Sequence, residues 1–247
     1  MRIQINSTSG ILYVRAGLKP FMRHIRDAGG IQEFLVRYFN HKEIFVPYFL
    51  PARPIWKRPE SLSKLTNSGT LGKLIAELPN AVFSHHPTHR FVGIGTKVGD
   101  ILRMHDHTTS CFFPIRELAL KHDFSMLLFG CVNESPGFST VHAVQNELGL
   151  SQKHLIRYLL RWDIETETGI ISMTAKESPG CSMSFNKFYP YYESDKNLIR
   201  GELLGQPYLY VPSARRAMTV ERELLVRNPR FVDCGRATCL TCRLRLY

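Results

Sequence analysis

The sequence has no apolar run approaching the roughly 18 residues that a membrane-spanning helix needs. Its opening residues, MRIQINSTSGILYVRAGLKP, hold no apolar core followed by a small-residue cleavage site. Together these absences predict a soluble, cytoplasmic protein without a membrane partner. Six Cys in 247 residues are too few for a secreted disulfide framework, so reduced thiols are expected. No internal repeat and no low-complexity linker occurs, which leaves one domain over 1–247 as the simplest organisation, ending in a basic Cys-containing tail over 232–247. Acids are also scarce: 21 Asp plus Glu face 32 Lys plus Arg, a net charge of +11. Such a surface gathers anions and disfavours a polycationic ligand. The excess is spread along the chain rather than packed into one run, as a nucleic-acid tail would be.

What is present is enough for a sizeable core, with 44% hydrophobic and 11% aromatic residues. Ile11 to Val14 reads as a short strand, and Ile31, Phe34, Leu35 and Tyr38 have the spacing of an amphipathic helix that ends near Asn40. Ile44, Phe45 and Val46 then read as a buried strand stopped by Pro47. Strand, helix, strand in this order suggests a crossover unit and an α/β sheet. Residues 51–69 read as an irregular excursion, 70–78 as a helix, Ala81 to Phe83 as a strand and Pro114 to Leu120 as a helix. The most apolar run, Phe124 to Val132, fits a central buried strand that delivers the loop NESPGFST. A short helix, VHAVQNELG, should follow with Ser139 or Thr140 as its N-cap.

Three groups of residues carry potential chemistry. Ser84-His85-His86-Pro87-Thr88-His89 leads to Gly93-Ile94-Gly95. The second group, Ser139 to Gln145 with His142 at its centre, lies just past the buried strand, where open α/β sheets place ligands. Either His group also has a plain reading, as a solvated loop or a helix cap, and His85, His86 and His89 are readable as metal ligands as well. The third group is Cys234-x4-Cys239-x2-Cys242. It could bind zinc if Cys131, Cys181 or a His supplied a fourth ligand, or form a simple reduced cluster; no complete metal site is assigned. The aromatic stretch Phe185 to Tyr192 is readable as a stacking platform or as core.

The run SHHPTHRFVGIG resembles the Ser-x-His-Pro-x-x-Ser-Phe-Ala-Ala-x-Gly segment of the aminoglycoside 3-N-acetyltransferase family. LLFGCVNESPGFSTVHAVQNELG resembles that family's strand, loop and Thr-x-x-His-x-x-Glu motif, and SCFFPIRELA its Ser-Pro-x-x-x-Leu element. The order and spacing agree from about residue 10 to about residue 234, although the opening strand carries Arg15 where the family has His.

The resemblance implies a single α/β domain with a mixed central sheet flanked by helices, and acyl transfer from acetyl-CoA or another acyl-CoA to an amine of an amino sugar. His142 would be the general base, the acid for the leaving thiolate, or both in turn. Thr140 and backbone amides of 137–140 would face the oxyanion. Ser84, His86, Thr88, Gly93, Gly95 and Lys97 would border coenzyme A. Gln145 stands where the family has Glu; Glu147 is nearby but differently directed, which leaves Glu193 or Asp195 as the alternative source of a carboxylate. The charge of +11 favours a nucleotide-linked acceptor, as in surface-polysaccharide pathways, over an aminoglycoside antibiotic. The rival from another class is a non-catalytic nucleic-acid or anion-binding protein, marked by salt-sensitive binding to generic DNA or RNA.

Overall fold

A computed structural model describes residues 10–40, 43–59, 69–134 and 137–246. The opening residues 1–9, part of the stretch read for a leader, lie outside them, as do 60–68 of the excursion and 135–136 of the NESPGFST loop.

The first strand, β1 (Ile11–Ala16), alternates its side chains between two apolar clusters: Ile11 and Tyr13 enter one, Leu12 and Val14 the other. A strand apolar on both faces must be covered on both. The connection from β1 runs through α1 (Met22–Ala28) and α2 (Ile31–Phe39) into β2 (Glu43–Phe49), which pairs parallel with β1, so the crossover expected from the sequence is present. Asn40 ends α2 in the left-handed conformation, one that Asn tolerates better than most residues.

Pro47 does not stop β2. The ladder with β1 closes at Phe45, whereas β2 continues through Pro47 to Phe49 against another strand. A proline is admissible where one side of a strand has no ladder left to join.

Downstream come β3 (Arg53–Pro54), α3 (Gly69–Ala76), β4 (Val82–Phe83), β5 (His89–Ile94), α4 (Thr96–Arg103), α5 (Phe113–Lys121), β6 (Ser125–Phe129) and α6 (Thr140–Glu147). They are followed by β7 (Leu160–Thr166), β8 (Gly169–Thr174), α7 (Tyr189–Ser194), β9 (Ile199–Leu203), β10 (Gln206–Val211), α8 (Ala214–Arg227) and α9 (Leu240–Arg243). The main sheet has the order β4-β5-β2-β1-β6-β10-β9. Its centre, β2-β1-β6, is parallel and its flanks are antiparallel. This is the expected mixed sheet. Helices α1 to α3 cover one face; α4, α5, α6 and α8 cover the other. All five residues of β6 are buried, as the most apolar run required.

A small second sheet, β3-β7-β8, pairs separately and packs Trp162 into the core. The alternation that marks β8 does not bury one face: five of its six residues are exposed. By contrast, Phe185, Phe188, Tyr189 and Tyr192 belong to the core, which removes the stacking-platform reading for these four rings. Among the described residues no helix is long and apolar enough to cross a membrane.

Candidate active site

Helix α6 begins just after β6 and sets its first turn against the core. Ser139 occupies the N-cap position but does not cap with its side chain; its hydroxyl instead pairs with the Tyr13 hydroxyl at 2.9 Å. Three residues on, the His142 ring lies flat against Phe112 (centroids 4.9 Å apart) and edge-on to Phe185 (4.7 Å). Its Nδ1 donates to Gln145 Oε1 at 2.9 Å, across the i to i+3 spacing that places two side chains on one helix face. That bond assigns the proton to Nδ1 and leaves the Nε2 lone pair free. Burial holds the His142 pKa down to about 3; the Gln145 bond opposes the shift, and electrostatic repulsion from His89, Arg245 and Arg15 adds to it. The imidazole is therefore neutral at physiological pH.

His142 lines a cavity of about 240 Å³ with Thr88, His89, Phe112, Trp162 and Glu177. Glu177 is buried, held by the Cys111 amide at 2.6 Å on Oε1 and by Asn146 Nδ2 at 2.5 Å on Oε2. It supplies this cavity with a fixed carboxylate. A second cavity, about 320 Å³, opens beside Arg15, Pro47, Leu71 and Cys131, and Phe49 borders both. Arg15, which stands where the resembling family has His, donates from Nη1 to the Gly137 carbonyl at 2.7 Å and braces the loop ahead of α6.

The structure brings only part of the sequence-derived set to this place. His142, Gln145 and Thr88 are at the cavity or in contact with its base. Thr140 is buried under α6 with its hydroxyl already donating to Glu221 Oε1 at 2.6 Å, so that proton is directed away from any oxyanion. Tyr192 donates to the same oxygen, and desolvation raises the Glu221 pKa to about 7.

Ser84 accepts from the Phe91 amide at 2.8 Å and pairs with His105 Nδ1 at 3.0 Å. His86 accepts from the Thr88 and His89 amides on Nδ1 at 3.2 and 3.0 Å, stacks on His105 and is wholly buried. Both residues hold a turn together, which is their physical reason for lying beneath the cavity surface.

Gly93, Gly95 and Lys97 are elsewhere. Phe49 pairs with His89 at the cavity end of the β2–β5 ladder, and Ile44 with Ile94 at the opposite end, roughly 17 Å away at strand rise. A Cβ on Gly93 would lie 2.6 Å from both the Ile44 carbonyl oxygen and Val98 Cγ1; Gly95 has φ +109° and packs on the Glu43 side chain. These glycines serve close packing, and Lys97 is an exposed residue of α4.

The carboxylates considered as partners for His142 are also committed elsewhere. Glu193 pairs with Arg200, Asp195 with Arg216 and Glu147 with Arg222. Gln145 holds the orienting position itself, with its amide nitrogen buried and unpartnered among the described residues. Glu177, Glu221 and His105 were not singled out in the sequence. The first two act through partners 66 and 81 residues distant, beyond any local motif.

Neither a protein-family model nor a curated protein sequence matches the chain. Solved structures do. A variant of aminoglycoside acetyltransferase AAC(3)-IVa in complex with a gentamicin is 17% identical, with a TM-score of 0.72 over 97% of this chain and 92% of that one. AAC-IIIb in a binary complex with CoASH is 14% identical, with a TM-score of 0.65 over 92% of each chain. YokD from Bacillus subtilis is 16% identical, with a TM-score of 0.65 over 90% of this chain and 94% of that one. The chain has the fold of the aminoglycoside 3-N-acetyltransferases along nearly its whole length, as the motif resemblance led one to expect.

Proposed function

We propose that this protein is an acyl-CoA-dependent N-acyltransferase acting on an amine of an amino sugar. The observation that carries the reading is the neutral His142, its Nδ1 fixed by Gln145 and its ring on the wall of a cavity that also holds the Glu177 carboxylate. The fold shared with AAC-IIIb, which was solved with CoASH, supports an acyl-CoA as donor substrate.

In this reading the acceptor ammonium is drawn to Glu177 and releases one proton to solvent before it can act as a nucleophile. The amine nitrogen bonds to the thioester carbonyl carbon. His142 Nε2 takes the second proton that leaves nitrogen and returns it to sulfur as the carbon–sulfur bond breaks, so the products are an amide, free coenzyme A and one proton in solvent. Gln145 keeps Nε2 in its basic tautomer but, being neutral, does little to stabilise the imidazolium that forms. The cavity beside Arg15 is the place for the donor's acyl-bearing arm, with Phe49 between the two substrates.

The net charge of +11 supports a nucleotide-linked amino sugar as acceptor, because its diphosphate would be attracted where a polycation is repelled. A second reading, an aminoglycoside, is favoured by Glu177 and by the AAC(3)-IVa complexes with gentamicin and apramycin. Thiol release from acetyl-CoA, measured with nucleotide-linked 3- and 4-amino sugars and with aminoglycosides side by side, separates the two. Failure to bind any acyl-CoA would sink the enzyme reading and leave an anion-binding protein.

A further inference from the structure

The tail that the acyl-transfer reading does not use carries its own site. In the sequence, Cys234, Cys239 and Cys242 lack a fourth ligand; the fold supplies it from the loop after β8. The Sγ atoms of Cys181, Cys234, Cys239 and Cys242 all lie within 4.8 Å of one another, and the Cys234 and Cys242 sulfurs are 3.6 Å apart. None of the four is in a disulfide. Four thiolates around zinc at about 2.3 Å stand about 3.8 Å apart along the edges of a tetrahedron, so closing the set requires shifts of only an ångström or so.

Two further features suit thiolate ligands. Backbone amides aim at sulfur, Met183 N at Cys181 (3.4 Å) and Cys234 N at Cys242 (3.5 Å), as outer-sphere donors to metal-bound sulfur do. Four thiolates on a divalent ion leave a net charge of −2, and Arg230, Arg236 and Arg243 line the crevice beside Cys242. The local backbone also fits: Cys239 is the N-cap of α9 and Cys242 follows within its single turn, the Cys-x2-Cys spacing of structural zinc sites.

Hydrogen bonds hold the segment, but it has little apolar burial to order it. From Asp233 to Leu244 no residue is buried, so apolar burial contributes little there, and a metal cross-link would supply the missing restraint. Its consequence would reach the cavity. Cys181 follows Ser178, Pro179 and Gly180, which form part of the wall around His142, and Gly180 packs against Arg245 of the tail.

We propose that Cys181, Cys234, Cys239 and Cys242 form a structural tetrathiolate zinc site that clips the C-terminal tail to the loop bordering the active-site cavity. Zinc binding releases the thiol protons and changes no oxidation state. Metal analysis of the purified full-length chain should find one zinc per molecule. Mercurial modification of the thiols should release it, and cobalt(II) exchange should give the ligand-field and sulfur charge-transfer bands of a tetrahedral tetrathiolate. The pair Cys234→Ser and Cys242→Ser should lose the metal, while Cys131→Ser keeps it. The three wild-type measurements stand even if the double variant fails to fold. A chain isolated without metal that takes up neither zinc nor cobalt, four thiols recovered as two disulfides, or zinc retained by the double variant would overturn the proposal.

Discussion

His142 and His86 come from the two histidine blocks of one sequence, and both rings are buried and held neutral, yet the fold gives them opposite occupations. His86 accepts two backbone amides on Nδ1 and is sealed beneath His105 and Trp162. His142 uses Nδ1 on a side chain of its own helix and keeps its ring on a cavity wall beside a fixed carboxylate. A low pKa is therefore common to both and distinguishes neither; what separates them is whether the second nitrogen meets a place where a substrate fits.

The sharpest way to break this contrast is to truncate each ring. For His142→Ala we expect kcat to fall by roughly 10²–10⁴, the usual contribution of a general base, with the unfolding midpoint little changed. For His86→Ala we expect the reverse: about 1–3 kcal/mol of stability lost for each amide left unpaired, and near-normal turnover by the molecules that remain folded. Initial rates set beside denaturant unfolding of the two variants give the answer, and equal catalytic losses would end the distinction.

Acid should act on both histidines alike. Unfolded His residues take up a proton near pH 6.5, whereas burial lowers His89 to about 4 and His105 and His142 to about 3, with His86 also far below its usual value. Between these values the unfolded chain holds more protons than the folded one. The stability they contribute is complete above pH 6.5 and is lost as pH falls toward 4. Glu221 has the opposite sign, since its carboxyl rises from 4.5 to about 7 on folding. Its contribution is present below pH 4.5 and fades as pH rises through 7. Melting temperature should therefore drop on acidification from pH 6.5, by roughly 2–4 °C for each kcal/mol lost in a chain of this size. Glu221→Gln should steepen the dependence between pH 4.5 and 7. A flat profile would mean that the buried rings are not neutral.

Much of the scaffold was legible because it rests on short-range regularities. The apolar runs of β1 and β6, the three-to-four spacing in α2 and the i to i+3 pairing of His142 with Gln145 can be read in one direction along the chain. What could not be read rests on partners far apart in sequence. Pro47 looked like a strand end only because nothing local says that β1 has already finished its ladder. Gly93 and Gly95 read as a cofactor cradle because their motif is contiguous with His86, whereas only the fold says that they lie toward the opposite end of the β2–β5 ladder from His89. Glu177 left no mark at all, being an ordinary acid until Cys111 and Asn146 close on it.

A smaller effect is expected from restoring a carboxylate beside the base. Gln145→Glu places a negative charge against His142 Nδ1 and should raise the imidazole pKa by roughly 1–3 units. A stronger base in a site that now has a weak one should increase kcat several-fold and move the acid limb of the pH–rate profile upward. The same substitution leaves His86 untouched, so only the rate profile should respond. An unchanged profile would mean that Gln145 does not govern the base.

The smallest effect tests the far end of β5. Lys97 is exposed on α4, toward the end of the β2–β5 ladder opposite the cavity. Lys97→Ala should change stability by no more than about 0.5 kcal/mol and leave the KM for acyl-CoA within about twofold, since a solvated charge beyond a Debye length of about 8 Å is largely screened at physiological salt. Arg15→Ala, on the wall of the cavity that takes the donor, is the proper comparison. If Lys97→Ala weakened donor binding more than Arg15→Ala did, coenzyme A would have to reach the far end of the β2–β5 ladder, and its binding surface would be longer than the cavity beside Arg15.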